Sequence, residues 1–353
     1  MTQSTMLRRK TTASLRSQWE AQIDDHVIAL AWSPRDGEQI AVASVSGPVT
    51  IFDRKRGVVR YELSGHSFGA TALAWRPDGA VLASAGQDGK VRLWDVNNGT
   101  QLDVLDGGAA WVEHVTWCPV KGGKRPPWLA AAAGKVLRIW ASDGHLLQEH
   151  SDHTSTIADL QWHVGRNELA YAPYGGVILL NPDQPESKRC FRWQGASLKL
   201  AWSPDGNYVA TGDQDSTVHF WYSKSGEDLQ MWGYPTKVRE LAWDRTSRYL
   251  ATGGGPTVVV WDCSGKGPEG TKPLMLEAHR DFLSDLAYQR NGPLLASAGN
   301  DAQVVLWAPG REKRPLTDAS CNAAVTRVAW SPDDRFLAAG TAEGEVKVYS
   351  VTV

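Results

Sequence analysis

One short apolar pattern ending in an aromatic residue recurs eight times along the 353 residues, and this period is the strongest constraint on the fold. The repeat aromatics are Trp32, Trp75, Trp117, Trp162, Trp202, Trp243, Tyr288 and Trp330. They stand 43, 42, 45, 40, 41, 45 and 42 residues apart. A period of this length indicates an array in which each repeat is one supersecondary unit.

Each repeat continues as a series of apolar runs separated by turns. In the second unit, ATALAWRP is followed by the turn residues DG, the run VLASAG, the turn QDG and the run KVRLWD, and a looser fourth run comes after them. Gly, Asp, Asn and Pro are the residues that make tight turns between short strands. Four antiparallel strands per unit, repeated radially, predict an all-β, eight-bladed β-propeller of four-stranded antiparallel blades.

The eighth unit supplies only three apolar runs before Val353, which would leave an open sheet edge. We therefore predict that LRSQWEAQ, from Leu15 to Gln22, is the fourth strand of the last blade and closes the ring. The predicted organisation is a flexible N-terminal tail over residues 1–14 and a single propeller domain over residues 15–353. A seven-bladed ring with one unit left outside is the alternative.

With WD dipeptides at residues 94–95 and 261–262 added to this pattern, the chain resembles the WD-repeat family over nearly all its length after residue 15. The resemblance implies that a His, a Ser or Thr, an Asp and a Trp form a hydrogen-bond chain inside a blade, where buried polar groups need partners. Two blades match in full, through His66, Ser84, Asp88 and Trp94 in blade 2 and His279, Ser297, Asp301 and Trp307 in blade 7. Blade 5 keeps Thr211, Asp215 and Trp221 but has no His, and the other blades depart further.

The resemblance also implies that three positions in each blade are exposed on one rim, the top face. Aromatic and Arg side chains carry much of the energy at protein interfaces. The partner-binding candidates are therefore Lys237, Arg239 and Phe282 on blades 6 and 7, Trp111 and Glu113 on blade 3, and also His26, Gln87 and Gln214. A partner with an acidic, partly apolar segment would suit the first cluster. The alternative is that these aromatics are ordinary loop residues, since scattered exposed apolar side chains are normal.

Charged residues recur three positions before the repeat aromatic, on the strands expected to line the central channel. They are His114, Asp159, Lys199, Glu240, Asp285 and Arg327 on blades 3 to 8. Opposite charges on neighbouring blades predict an ion-pair ladder of Asp159, Lys199, Glu240, Asp285 and Arg327, which would satisfy buried charge more than it adds stability. A ligand or metal site in the channel is the alternative.

Two insertions rich in Gly, Pro and Lys are expected on the opposite, bottom face. They span residues 119–127 and 264–273. Their composition predicts flexible loops. A secondary contact surface is the alternative for both.

Composition argues against several functional classes. The net charge of −2 and pI of about 6.5 provide no basic field, so nucleic acid is not an expected partner. Four scattered cysteines without a CxxC pair suggest a reducing, cytoplasmic compartment. Because no apolar run reaches about 18 residues, we expect no membrane insertion.

No catalytic or cofactor motif emerges from the sequence. His145, His150 and His153 lie close together, but His153 falls nine residues before Trp162, an offset that the repeat explains, so no metal site is predicted. P-loop, GxSxG and HExxH motifs do not occur, and we expect no cofactor. The expected function is a non-catalytic scaffold, itself monomeric, that binds proteins or peptides on its top face as a subunit or adaptor of a larger complex. The alternative is a propeller enzyme, or a small-ligand or metal-binding protein, with its site at the central channel.

Overall fold

The structure is a computed structural model that describes residues 12–119 and 127–353, and these residues form eight four-stranded antiparallel sheets. Within each sheet, neighbouring strands are consecutive in sequence, except where the chain closes the ring. Each sheet is one blade of a propeller. The predicted eight-bladed architecture is confirmed.

The first four blades follow one another from residue 27. Blade 1 comprises β2 (Val27–Trp32), β3 (Gln39–Ser44), β4 (Val49–Asp53) and β5 (Val59–Leu63). Blade 2 comprises β6 (Ala70–Trp75), β7 (Val81–Gly86), β8 (Lys90–Asp95) and β9 (Thr100–Asp106). Blade 3 comprises β10 (Val112–Trp117), β11 (Leu129–Ala133), β12 (Val136–Trp140) and β13 (Leu146–His150). Blade 4 comprises β14 (Leu160–Trp162), β15 (Leu169–Tyr171), β16 (Gly176–Leu180) and β17 (Arg189–Arg192), with a 3₁₀ turn at Pro185–Ser187.

The remaining blades have the same order, and the last one includes the strand nearest the N-terminus. Blade 5 comprises β18 (Ser197–Trp202), β19 (Tyr208–Asp213), β20 (Val218–Tyr222) and β21 (Asp228–Met231). Blade 6 comprises β22 (Leu241–Trp243), β23 (Tyr249–Thr252), β24 (Thr257–Asp262) and β25 (Leu274–Glu277). Blade 7 comprises β26 (Leu283–Tyr288), β27 (Leu295–Gly299), β28 (Gln303–Trp307) and β29 (Thr317–Ser320). Blade 8 comprises β30 (Val325–Trp330), β31 (Phe336–Thr341), β32 (Glu345–Thr352) and β1 (Ser14–Gln22).

The apolar core lies between blades rather than in one central mass. The second strands are buried on both faces, as in β7 with its sequence VLASAG, because each sheet is packed between two neighbours. The fourth strands are mostly exposed, as in β9. The buried apolar residues fall into eight clusters, one at each interface between neighbouring blades.

The repeat tryptophans of six blades connect each of these blades to the preceding one. The indole Nε1 of Trp75 donates to the carbonyl of Ala31 at 2.9 Å, and that of Trp32 donates to the carbonyl of Ala329 at 2.9 Å, across the closure of the ring. The same bond recurs from Trp162 to Thr116, Trp202 to Gln161, Trp243 to Ala201 and Trp330 to Ala287. This inter-blade bond, which we call the indole bond, gives the aromatic period a structural reason.

The strand β1 completes blade 8, as predicted, and begins one residue earlier than Leu15. It pairs antiparallel with β32 from Ser14 to Gln22. Trp19 also reaches blade 1, where its Nε1 donates to the carbonyl of Arg54 at 2.7 Å and its ring lies 5.6 Å from that of Phe52. Residues 1–11, which hold most of the predicted tail, lie outside the described residues.

Of the two insertions, the one at residues 264–273 lies on the bottom face. It connects the third and fourth strands of blade 6, and its Lys266 carbonyl accepts a hydrogen bond from the Tyr222 hydroxyl of blade 5. At least this part of the loop is packed against its neighbour, which the composition alone does not predict. Most of the other insertion, residues 120–126, lies outside the described residues.

Candidate functional site

The top face is defined by the direction of the strands. In a blade of four antiparallel strands, the turn between the second and third strands lies at the same edge as the loop leading from the fourth strand to the next blade. We use "top rim" for these two sets of loops. The first strands contact one another in sequence around the ring, including β30 with β2, and enclose the central channel below this rim.

Every aromatic side chain that is exposed within the described residues lies on the top rim. These residues are Phe68, Trp111, Tyr174, Trp232 and Phe282, with exposed fractions of 49 to 80%. Four precede the first strand of a blade, and Tyr174 lies in the turn between β15 and β16. Exposed aromatics confined to one edge distinguish that edge as a surface suited to a protein partner.

The candidates on blades 6 and 7 are all exposed. Lys237 and Arg239 flank the buried Val238 just before β22, and Phe282 directly precedes β26. Arg280, which the sequence did not single out, lies two residues before Phe282 and is also exposed. None of these three cations forms an ion pair with another described residue, so their charges are available to a partner.

The other predicted rim residues differ in exposure. On blade 3, Trp111 and Glu113 are both exposed on either side of the buried Val112. Gln214 is exposed, whereas His26 and Gln87 are partly buried in the connections of blades 1 and 2. The rim therefore offers two separated exposed clusters, on blade 3 and on blades 6 and 7.

Three exposed rim aromatics were missed by the sequence reasoning. Phe68, Tyr174 and Trp232 do not occupy the three positions per blade that the family resemblance selects. Each of these aromatics lies in a loop rich in Gly, Ser or Pro, and this pattern could have identified it. The prediction used only positions at fixed offsets from the repeat aromatic.

The four-residue hydrogen-bond chains of blades 2 and 7 have the same geometry. In blade 7, His279 Nδ1 lies 3.0 Å from Asp301 Oδ1 and its Nε2 lies 2.8 Å from Ser297 Oγ, which accepts the Trp307 indole N–H at 2.8 Å. In blade 2 the corresponding distances are 2.9, 2.8 and 2.8 Å among His66, Asp88, Ser84 and Trp94. These chains satisfy buried polar groups and fix the top edge of each blade.

In three blades without the full motif, the residue nine positions before the repeat aromatic also forms a hydrogen bond inside the blade. In blade 6, the Tyr234 hydroxyl contacts Thr252 Oγ1 at 2.8 Å and accepts the Trp261 indole N–H at 2.8 Å. In blade 4, His153 Nε2 lies 3.1 Å from the Tyr171 hydroxyl. In blade 8, Cys321 Sγ lies 3.5 Å from the hydroxyl of Tyr349. The offset of nine could have identified Tyr234 if residues other than His had been allowed.

Blade 5 has a Trp in place of the His. Trp193 stands nine residues before Trp202, its ring lies 4.4 Å from that of His219, and its Nε1 donates to Ser197 Oγ at 3.3 Å. Asp213 takes the register position of Gly86 and Gly299. Its side chain fills space that the His occupies in the other two blades, since a Cβ at Gly86 would lie 2.1 Å from His66 Nδ1. Sequence reasoning missed this exchange.

Within the described residues, the predicted channel ladder contains one ion pair, between Asp159 and Lys199. Asp159 Oδ2 lies 3.1 Å from Lys199 Nζ, and Asp159 Oδ1 lies 3.4 Å from His114 Nδ1. Burial lowers the pKa of His114, although Asp159 opposes the shift, so the imidazole is neutral at pH 7. Asp159 also accepts the backbone N–H of Leu200, in the next blade, at 3.0 Å.

The remaining ladder residues form no ion pair with one another within the described chain. Asp285 Oδ2 accepts the backbone N–H of Val328 in blade 8 at 2.9 Å, as Asp159 does with its own neighbour. Glu240 Oε2 accepts the N–H of Gly254 within blade 6 at 3.1 Å, and Arg327 donates to the carbonyl of Thr326 at 2.7 Å. Burial raises the pKa of Glu240 and of Asp285. Amide donors on adjacent strands are closer to these short side chains than opposite charges are.

The described residues provide no assembled metal site. No group of three or more His, Cys, Asp and Glu side chains among residues 12–119 and 127–353 is arranged to hold a metal ion. Within the same part of the chain, no helix has the length and hydrophobicity needed to span a bilayer.

Comparisons with known proteins agree with the geometry of the ring. The family described as "WD domain, G-beta repeat" matches residues 57–95, 191–222, 227–262, 270–308 and 313–350, which together span just over half of the chain. A solved structure entitled "Crystal structure of the computationally designed Ika8 protein" superposes with a TM-score of 0.75 at 22% identity, covering 93% of this chain and 97% of that chain. At this identity the likeness shows the fold alone.

Curated relatives are similar over larger or smaller parts of the chain. The "Anaphase-promoting complex subunit cdc20" of Dictyostelium discoideum is 30% identical over 206 residues, 55% of this chain and 40% of that protein. "Cell division cycle 20.1, cofactor of APC complex" of Arabidopsis thaliana is 26% identical over 304 residues, 80% of this chain and 59% of that protein. The chain thus spans less than two thirds of the length of these relatives.

Proposed function

The chain belongs to the WD domain, G-beta repeat family, and from this premise we propose that it is a non-catalytic adaptor that binds proteins or peptides on its top rim. The observation that carries the proposal is the confinement of all exposed described aromatics to that rim. The relatives named as a subunit and a cofactor of a multi-protein complex support such a role. A rigid ring of eight stacked blades provides the frame that holds these side chains in fixed positions.

The cluster on blades 6 and 7 suits a partner segment with acidic and apolar side chains. Lys237, Arg239 and Arg280 carry charges that no described carboxylate neutralises. Phe282 and Trp232 supply exposed apolar surface beside them. An acidic segment with one large apolar side chain would complement both features, since complementary charge guides association and an anchored aromatic contact holds it.

The test compares two triple variants that remove the same amount of charge. The rim variant carries Lys237→Ala, Arg239→Ala and Phe282→Ala. The control carries Lys224→Ala, Arg245→Ala and Val58→Ala, three exposed residues near bottom-face turns. Binding is measured by fluorescence anisotropy with labelled Glu-rich peptides containing one Phe or Leu, and by capture of proteins from a lysate.

We expect the rim variant to bind the acidic peptide at least about tenfold more weakly, as the loss of central interface residues does. The control variant should bind as the parent protein does. Equal binding by the rim variant and the parent protein would rule out this cluster. Trp111→Ala, measured in the same way, tests the separate cluster on blade 3.

A further inference from the structure

Blade 5 contains an unusual concentration of unsatisfied buried polar atoms. Asp213 Oδ1, His219 Nε2 and Trp221 Nε1 form no hydrogen bond with any described residue. Asp213 is completely buried, with an exposed fraction of 0%. A buried carboxyl without a full set of partners is costly to ionise, and such groups merit an explanation.

No described cation reaches the Asp213 carboxyl. The titratable or charged groups on the strands and loops packed around it are Lys199, Asp215, His219, Asp228, Lys237, Arg239 and Glu240. Lys199 contacts Asp159, and the Nδ1 of His219 lies 2.8 Å from Asp228. Lys237 and Arg239 are exposed on the rim, and Glu240 accepts the N–H of Gly254. Asp215 contributes a like charge that disfavours ionisation of Asp213.

Burial raises the pKa of Asp213 to about 7, although the Ser197 and Thr211 hydroxyls oppose the shift. The carboxyl therefore keeps its proton in the folded protein at mildly acidic pH. In an opened segment where water reaches it, the same carboxyl would ionise near its ordinary value of 3.8. Rising pH consequently favours any opening that exposes Asp213.

Asp213 is bonded directly to the rim segment that carries two of the candidate cations. Its carbonyl accepts the backbone N–H of Val238 at 3.1 Å, and Val238 stands between Lys237 and Arg239. The contact is close, because a Cβ at the adjacent Gly212 would lie 2.6 Å from the Val238 carbonyl oxygen. Movement of the strand end at Asp213 therefore displaces the residues that present both cations.

We propose that Asp213 is a proton-sensitive contact beneath the top rim, which keeps the segment 236–240 closed while its carboxyl is protonated and releases it on ionisation. The rim then binds an acidic partner more tightly at mildly acidic pH than at mildly alkaline pH. This second step rests on the proposed function of Lys237 and Arg239. The first step concerns the protein alone and is measured without a partner.

Hydrogen exchange at the Val238 amide, resolved by NMR, tests the first step. The reference is the Ile157 amide, which stands five residues before Trp162 as Val238 does before Trp243 and donates to the carbonyl of Gly134 at 2.9 Å. We expect the opening constant of Val238 relative to Ile157 to rise by about tenfold per pH unit between about pH 5 and about pH 7, then to level off. A ratio that does not change with pH would overturn the proposal.

Two substitutions separate the carboxyl from other effects of pH. Asp213→Asn preserves the size of the side chain without the titration, and Asp213→Thr introduces the residue type that Thr341 provides at this register in blade 8. Either variant should lower the slope of the Val238 ratio with pH, and a slope that remains belongs to Glu240, whose buried carboxyl lies in the same segment. Persistence of the same slope in whichever variants fold would contradict a role for Asp213.

Anisotropy with the labelled Glu-rich peptide tests the second step. The parent protein should bind more weakly at about pH 8 than at about pH 6, whereas the Asp213 variants should show a smaller difference between the two values. If exchange responds to pH while peptide binding does not, the link between the contact and binding is wrong. If Lys237→Ala and Arg239→Ala leave peptide binding unchanged, the proposed role of this cluster fails, and the exchange result still decides the first step.

Discussion

Blades 5 and 7 share one strand frame but fill its interior with different chemistry. Ser197 pairs with Asp213 in blade 5 as Leu283 pairs with Gly299 in blade 7, so the two sheets have the same register. In blade 7, a His links an Asp to a Ser and the Ser accepts from a Trp. In blade 5, a Trp stands in the His position and a carboxyl fills the space left over.

The difference shows that the polar chain is not what makes a blade. Both sheets pack against their neighbours through apolar clusters of similar composition, and both Trp221 and Trp307 are fully buried. Strand register and inter-blade packing therefore define the blade. The polar chain adds local rigidity, and its absence from blade 5 leaves room for a group that titrates.

The largest expected contrast concerns the Asp of the turn between the second and third strands. Asp301→Ala should lower the free energy of unfolding by about 3 kcal/mol, because the buried His279 and two backbone N–H groups lose their acceptor. Asp215→Ala should change it by less than about 0.5 kcal/mol, because Asp215 is exposed. Urea unfolding followed by tryptophan fluorescence measures both. Equal losses of unfolding free energy in the two variants would show that the turn Asp has the same role in blades 5 and 7.

A smaller contrast isolates one hydrogen bond. Trp307→Phe and Trp221→Phe both shrink a fully buried ring, but only the Trp307 indole donates to a described side chain, Ser297. Trp307→Phe should therefore cost about 1 kcal/mol more than Trp221→Phe in the same unfolding measurement. A larger loss for Trp221→Phe would mean that packing, rather than the bond to Ser297, dominates.

The last contrast lies in the sign of the pH dependence rather than in the size of a loss. Burial lowers the pKa of His66 from its ordinary value of 6.5, although Asp88 opposes the shift. Blade 2 should therefore lose stability as pH falls below that value, by at most about 1.4 kcal/mol per pH unit. Asp213 has the opposite effect, because its raised pKa makes stability fall as pH rises from about 4 to about 7.

Unfolding measured over a pH series separates the two groups. His66→Gln should flatten the acidic part of the profile, and Asp213→Asn should flatten the decline toward neutral pH. If His66→Gln flattened the decline toward neutral pH and Asp213→Asn flattened the acidic part, the pKa directions given for His66 and Asp213 would be wrong.

Much of the fold was predictable because the regular repeat of apolar runs and turns determines the number of blades and the order of their strands. The eight repeat aromatics fixed the number of blades, and the missing fourth run of the last unit indicated the pairing of the segment around Trp19. These features depend on apolar patterning and turn residues, which act locally and repeat. They needed no knowledge of side-chain contacts between blades.

The polar contacts inside the blades were less predictable, because a different residue at one position changes which residue fits at another. Tyr234 and Trp193 replace His in ways that a fixed motif does not include, and Asp213 is accommodated only because that His is absent. Among the residues that the structure describes, the channel ladder contains one ion pair, and Arg327 acts on Asp285 electrostatically without an ion-pair contact. Charge signs in sequence do not show that backbone amides bind the carboxylates of Asp285 and Glu240 directly. The rim candidates on blades 3, 6 and 7 remain predictions until binding is measured.

The indole bond is missing from two of the eight interfaces between blades among the described residues. Within the described chain, Trp117 Nε1 and the Tyr288 hydroxyl form no hydrogen bond, so the interfaces between blades 2 and 3 and between blades 6 and 7 lack it. These two seams lie opposite each other in a ring of eight and divide it into two arcs of four blades. Trp111 and Phe282 stand on the rim at those two seams, so the two clusters of exposed rim candidates lie on opposite sides of the ring. A single partner that engaged both clusters would have to reach across the mouth of the channel.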